Sequence, residues 1–74
     1  MKKLIKEIAT ILESDTKEID ENTVLSEHPL WDSLASISTI AMLLDEFKVN
    51  INEEELMTCR TVNDLYKFIS DKIN

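Results

Sequence analysis

The stretch Leu30-Trp31-Asp32-Ser33-Leu34-Ala35 gathers the groups of this chain that could do chemistry: a hydroxyl, a carboxylate beside it and an aromatic ring, where a polar segment gives way to an apolar one. A serine at a helix start exposes its hydroxyl, and the free N–H groups of the first turn favour an anion attached there. The same position has an ordinary use, because Asp and Ser are both strong capping residues and either Asp32 or Ser33 could cap a helix. His28, five residues before Ser33, completes the residue types of a hydrolytic triad. Its placement argues against one: Asp32 and Ser33 are adjacent, whereas the base of a triad must lie between hydroxyl and acid. The Asp20-Glu21-Asn22 run offers oxygens to a divalent cation but lacks the register of an EF-hand, and reads as a solvated loop. Cys59 has no second cysteine to pair with, and with His28 alone makes no tetrahedral zinc set, so no metal site is expected.

Composition narrows the field further. The chain has 74 residues, 15 acidic against 8 basic for a net charge of −7, no glycine, one proline and one cysteine. That length leaves room for one domain, residues 1–74, with a small core. The absence of glycine excludes Gly-rich phosphate loops, dinucleotide fingerprints and nucleophile elbows, and disfavours sheets built on tight primed turns. Without a basic stripe, neither nucleic acid nor an anionic membrane is an expected partner; basic protein patches fit better. The lone cysteine suits a reducing compartment. Met1 to Glu7 brings charge back before an apolar run develops, and so reads as neither a signal peptide nor a membrane span; a soluble, cytoplasmic, monomeric protein is expected.

The elements that must position Ser33 follow from periodicity. Leu4, Ile5, Ile8, Ile11 and Leu12 recur at steps of three and four, which predicts an amphipathic helix over about Lys2–Ser14. Asp15 to Leu30 loses that period and carries five acids against Lys17 alone. Ile19, Val24, Leu25 and Leu30 would anchor this long loop on the core, and His28-Pro29 ends it. A second helix runs to about Phe47, with Leu34, Ile37, Ile40, Ala41 and Leu44 as its core stripe at about 100° per residue and Leu43 and Phe47 on the flank. Ala35, Thr39, Met42 and Glu46 then face outward as a contact surface poor in charge. Glu53–Met57 predicts one short acidic helix. Thr61 to Asp64 resembles a capping box opening a last helix with the stripe Val62, Leu65, Tyr66, Ile69 and Ile73, and Phe68 beside it. The expected fold is all-α, a small bundle of three main helices plus one short one.

This order of parts, with Asp-Ser-Leu opening an apolar helix after a long structured loop, Phe47-x-Val49-x-Ile51 closing it and a capped Thr-Val-x-Asp-Leu final helix, resembles the acyl carrier and peptidyl carrier protein family over essentially the whole chain. The resemblance implies that a separate basic phosphopantetheinyl transferase, using magnesium, attaches 4′-phosphopantetheine from coenzyme A to Ser33. It assigns Asp32 to the transferase and metal during that step. The thiol of the arm would hold an acyl or aminoacyl group as a thioester for a loading enzyme and a downstream synthase or transferase, and the chain itself would catalyse nothing. Cys59 is then a small buried residue near the last turn. Cargo would enter between the second and third helices, for which Ile37, Ile40, Leu44, Leu56, Met57, Val62 and Tyr66 are the candidate lining.

The chain also departs from that pattern. Trp31 stands where fatty-acid carriers commonly have glycine, and reads as an anchor for the loop or a screen at the base of the arm. Acids common after the serine are replaced by Ala35, Ser38 and Leu44, leaving Asp45 and Glu46 on the second helix. Expected partner contacts are Trp31, Leu34, Ala35, Ser38, Met42, Asp45 and Glu46. A specialised stand-alone carrier of a dedicated pathway fits better than one serving general fatty acid synthesis. The alternative is an unmodified helical adaptor, in which Ser33 only caps the helix and the Ala35/Met42 face binds a protein.

Overall fold

Leu4, Ile8 and Leu12, the repeating apolar positions of the first segment, are completely buried, while Ile5 and Ile11 pack half-buried at the edge of the same core. Each such leucine or isoleucine contributes about 1.5–3 kcal/mol relative to exposure. The computed structural model describes residues 1–73; Asn74, the last residue of the expected domain, lies outside the described residues. Helix α1 spans Lys2–Ile11, ending before the expected Ser14. The Ser14 N–H donates to the Ala9 carbonyl at 2.9 Å and the Glu13 N–H to that of Thr10 at 3.2 Å, with Glu13 left-handed at φ 53. This is a Schellman stop, and glutamate occupies the position that glycine usually takes, at about 1 kcal/mol of backbone strain.

The long acidic segment is ordered from within and from across the bundle. Two 3₁₀ turns, Thr16–Glu18 and Leu25–Glu27, punctuate it, and the Asp15 carboxylate caps the first by accepting from the Lys17 N–H at 2.9 Å. Ile19 and Leu25 are buried and Val24 is half-buried, whereas Leu30 is exposed and is not the anchor the sequence suggested. Three backbone bonds fasten this segment to residues 60–63: Leu25 N–H to the Arg60 carbonyl at 3.0 Å, Val62 N–H to Thr23 at 3.1 Å and Asn63 N–H to Glu21 at 2.9 Å.

Helix α2 spans Ser33–Phe47 and packs against α1 and against α3, Glu53–Thr58. Its orientation corrects the sequence expectation. Ala35, Thr39, Met42 and Leu43 are buried, while Leu34, Ile37 and Leu44 are 70%, 60% and 54% exposed and Ala41 is exposed. Ile40 alone of the expected stripe packs against the core. The helix is apolar nearly all round, so periodicity could not choose its inner face. The small Ala35 and Thr39 suit a close helix approach, and the Thr39 hydroxyl is satisfied within its own helix by the Ala35 carbonyl at 2.8 Å. Lys48, left-handed at φ 57, ends α2.

Asn52 and Glu55 form a reciprocal capping box that starts α3, with side chains accepting from each other's backbone N–H at 2.8 and 3.1 Å. The expected box at Thr61 and Asp64 is also present, with bonds of 3.1 and 3.2 Å, and opens α4, Val62–Ile73. Val62, Leu65 and Ile69 are buried; Tyr66 and Ile73, expected on that stripe, are exposed, and Phe68 packs half-buried with Lys72 over its ring. Among the described residues the bundle thus has three main helices and one short one. Among the described residues there is no β-ladder, only the isolated bridge Val24–Thr61, and no helix is long and apolar enough to cross a membrane.

Candidate functional site

Asp32 settles the local geometry at the start of α2. Its backbone is extended, its carbonyl accepts the Ser36 N–H at 3.0 Å, and its carboxylate accepts the Ala35 N–H at 2.9 Å. Asp32 is therefore the cap, and Ser33 is the first helical residue. Ser33 is exposed, and its hydroxyl makes no hydrogen bond among the described residues. The N–H groups of Ser33 and Leu34 are likewise unpartnered there, which suits an anion carried on the Ser33 oxygen at the positive end of a helix.

The approach to Ser33 is fixed by His28. Its Nδ1 accepts the Leu30 N–H at 3.1 Å, so the proton of the neutral ring sits on Nε2, which lies 2.9 Å from the Ser14 hydroxyl. The Trp31 N–H donates to the His28 carbonyl at 3.0 Å. Both ring nitrogens are thus committed to tying the end of α1 to the segment before Ser33, and neither is directed to a base's work on the serine. Among the described residues no cluster of His, Cys, Asp or Glu has the makings of a metal site; Asp20 instead accepts from Asn22 and Thr23 in its own turn.

A cleft of about 360 Å³ opens between the second 3₁₀ turn, α2 and α3, with Leu25, Trp31, Leu56, Met57 and Cys59 as its apolar wall. Of the residues expected to line a cavity, only Leu56 and Met57 do so. Ile37, Leu44 and Tyr66 are exposed, Val62 is buried in the core and Ile40 packs beside it. The rotation of α2 accounts for this: the large aliphatic stripe points away from the bundle, and the cleft is closed by the loop instead. Leu25, Trp31 and Cys59 line the cleft outside that expectation. Burial, first of all, raises the Cys59 thiol above its usual pKa, with a smaller contribution from the charges of Asp64 and Glu55; its Sγ contacts the Glu55 carbonyl at 3.6 Å.

The expected partner contacts divide. Ala35 and Met42 are buried and cannot form a docking surface, which also removes the face on which the adaptor reading depended. Trp31 and Ser38 are half-buried, Trp31 in the cleft and Ser38 in a small pocket with Asp32 and Leu34. Asp45 and Glu46 are exposed, Glu46 with Lys3 3.5 Å from its carboxylate. The unpartnered surface of α2 is the strip Leu34, Ile37, Ala41 and Leu44, which periodicity had assigned to the core.

Residues 2–69 match the family described as the phosphopantetheine attachment site. The chain is also 33% identical over 66 residues to an acyl carrier protein of Thermosynechococcus vestitus, an alignment covering 89% of this chain and 82% of that relative. The chain belongs to the acyl carrier protein family, the carriers with covalently attached 4′-phosphopantetheine that work with a phosphopantetheinyl transferase and biosynthetic enzymes.

Proposed function

We propose that this chain is a single carrier domain over residues 1–74 that bears its prosthetic arm on Ser33 and delivers acyl or aminoacyl groups within a dedicated biosynthetic pathway. The observation that carries the reading is the division of roles at the start of α2, where Asp32 caps the helix and the adjacent Ser33 hydroxyl is exposed and unpartnered among the described residues. The arm supplies a flexible tether and a terminal thiol that holds the cargo as a thioester. The chain supplies placement. The N–H groups of Ser33 and Leu34 would receive the phosphodiester, and the Asp32 carboxylate, while capping, would meet the transferase and its magnesium ion. Partner enzymes dock on the apolar strip of Leu34, Ile37, Ala41 and Leu44, rimmed by Asp45. The chain performs no catalysis itself: His28 is held in a structural bridge, and burial keeps the Cys59 thiol protonated. It acts in the cytoplasm as a monomer.

Feeding labelled pantothenate to cells that express the chain tests the assignment. Label in the wild-type protein and none in Ser33→Ala is expected; equal labelling of both would refute Ser33 as the attachment residue.

A further inference from the structure

Three polar side chains complete the cleft beside Trp31: Ser26, Ser36 and Arg60. None makes a side-chain hydrogen bond among the described residues, and the two ion pairs found there, Lys3–Glu46 and Lys72–Glu55, leave Arg60 out. Arg60, the single arginine of the chain, is exposed and has no acidic partner among the described residues, so its guanidinium is available to a ligand in the cleft. Of the acids on the adjoining turns, Glu55 is engaged by the Asn52 N–H and Lys72, and Asp64 by the Thr61 N–H. Ser36 lies one helical turn from Ser33 on the same side of α2, so the polar mouth of the cleft begins beside the attachment serine. An apolar wall with a few converging polar groups is the usual form of a small-molecule site, and those groups set its specificity.

Charge then decides the class of occupant. In a protein of net charge −7, an anion gains nothing from the general field and needs a local cation. A guanidinium supplies one in the geometry that suits a carboxylate, and it repels the ammonium of an aminoacyl group. We infer that the cleft selects a carboxyacyl cargo, an acyl group ending in a second carboxylate, over plain alkyl acyl or aminoacyl cargo, with Arg60 as the specificity-determining residue. This deepens the carrier reading and rests on Ser33 bearing the arm. The anionic oxygens could come from the cargo or from the phosphodiester of the arm, and the two sources separate experimentally.

The test loads Ser33 with glutaryl- or pentanoyl-4′-phosphopantetheine from the corresponding coenzyme A thioesters, 3′,5′-ADP leaving, the two cargos having equal carbon number and differing in the terminal carboxylate. Arg60 gives a single Nε–H resonance and Trp31 a single indole Nε1–H resonance, because each is the only residue of its type. Glutaryl loading should shift the Arg60 Nε–H resonance relative to pentanoyl loading. The glutaryl group should also be lost to water about two- to fivefold more slowly from the wild type than from Arg60→Gln, as befits an exposed ion pair. The pentanoyl lifetime should be the same in both proteins, while Trp31 still reports occupancy in Arg60→Gln. The variant should fold, since the backbone carbonyl of Arg60, not its side chain, bonds to Leu25. Equal Arg60 shifts for the two cargos, or a glutaryl lifetime unchanged by Arg60→Gln, would overturn the inference. So would a shift complete on attachment of the unloaded arm, which assigns the anion to the phosphodiester. Absence of any adduct in the intact mass spectrum would instead overturn the carrier reading on which the inference rests.

Discussion

The carboxylate of Asp32 accepts the backbone N–H of Ala35 at 2.9 Å, and this bond assigns different tasks to two adjacent residues that could each have capped α2. Because the cap is made by Asp32, the hydroxyl of Ser33 is left exposed at the first helical position.

Stability and modification should therefore come apart at Asp32. Asp32→Ala should lower unfolding free energy by about 1 kcal/mol through loss of the cap. Asp32→Asn keeps an oxygen for the Ala35 N–H and should stay within about 0.5 kcal/mol of wild type. Both variants lose the charge and should be modified by the transferase at least tenfold more slowly. Urea denaturation and a modification time course read the two effects separately.

Leu43 and Leu44 are neighbours with opposite surroundings, completely buried and 54% exposed. Leu43→Ala should cost about 2–5 kcal/mol, and Leu44→Ala within about 0.5 kcal/mol. The reverse order in chemical denaturation would restore the helix orientation suggested by the sequence pattern.

That pattern explains which features could be foreseen. Helices α1 and α4 alternate apolar and charged residues, so Leu4, Ile8, Leu65 and Ile69 announce their burial. Helix α2 has few charges on any side, and the heavier aliphatic stripe drew the assignment away from Ala35, Thr39 and Met42. Asp32 and Ser33 cannot be ranked as caps by residue type. The cleft was hidden for a different reason: Leu25 and Arg60 are joined by a backbone bond across the bundle, and no local spacing encodes it. The box of Asn52 and Glu55, by contrast, is local, and its spacing of three residues is visible in the sequence.

Docking should depend more on apolar contact than on charge. Ile37→Asp should raise the KM of a loading enzyme about tenfold or more with thermal stability unchanged, because Ile37 is 60% exposed. Asp45→Asn should change it less than threefold, and the wild-type KM should rise only weakly with salt. A steep salt dependence abolished by Asp45→Asn would contradict the apolar strip as the main contact.

Cys59 should be slow to react and should impart a pH dependence of known sign. Burial raises its pKa above the ordinary value of 9.0, so the folded thiol holds its proton more tightly than the unfolded one. The associated stability is present below the unfolded pKa and is lost as pH rises through the folded one. Unfolding free energy should fall above about pH 9 more steeply in wild type than in Cys59→Ala, and a thiol reagent at pH 7.5 should label Cys59 far more slowly in the native than in the unfolded protein.

The most direct measurement is the intact mass of the purified chain after incubation with coenzyme A, magnesium and a broad-specificity phosphopantetheinyl transferase, followed by fragmentation to locate the adduct. A single phosphopantetheine mass on Ser33, absent from Ser33→Ala and retained in Ser36→Ala, is the expected result. An unchanged wild-type mass, or an adduct that persists in Ser33→Ala, would contradict it.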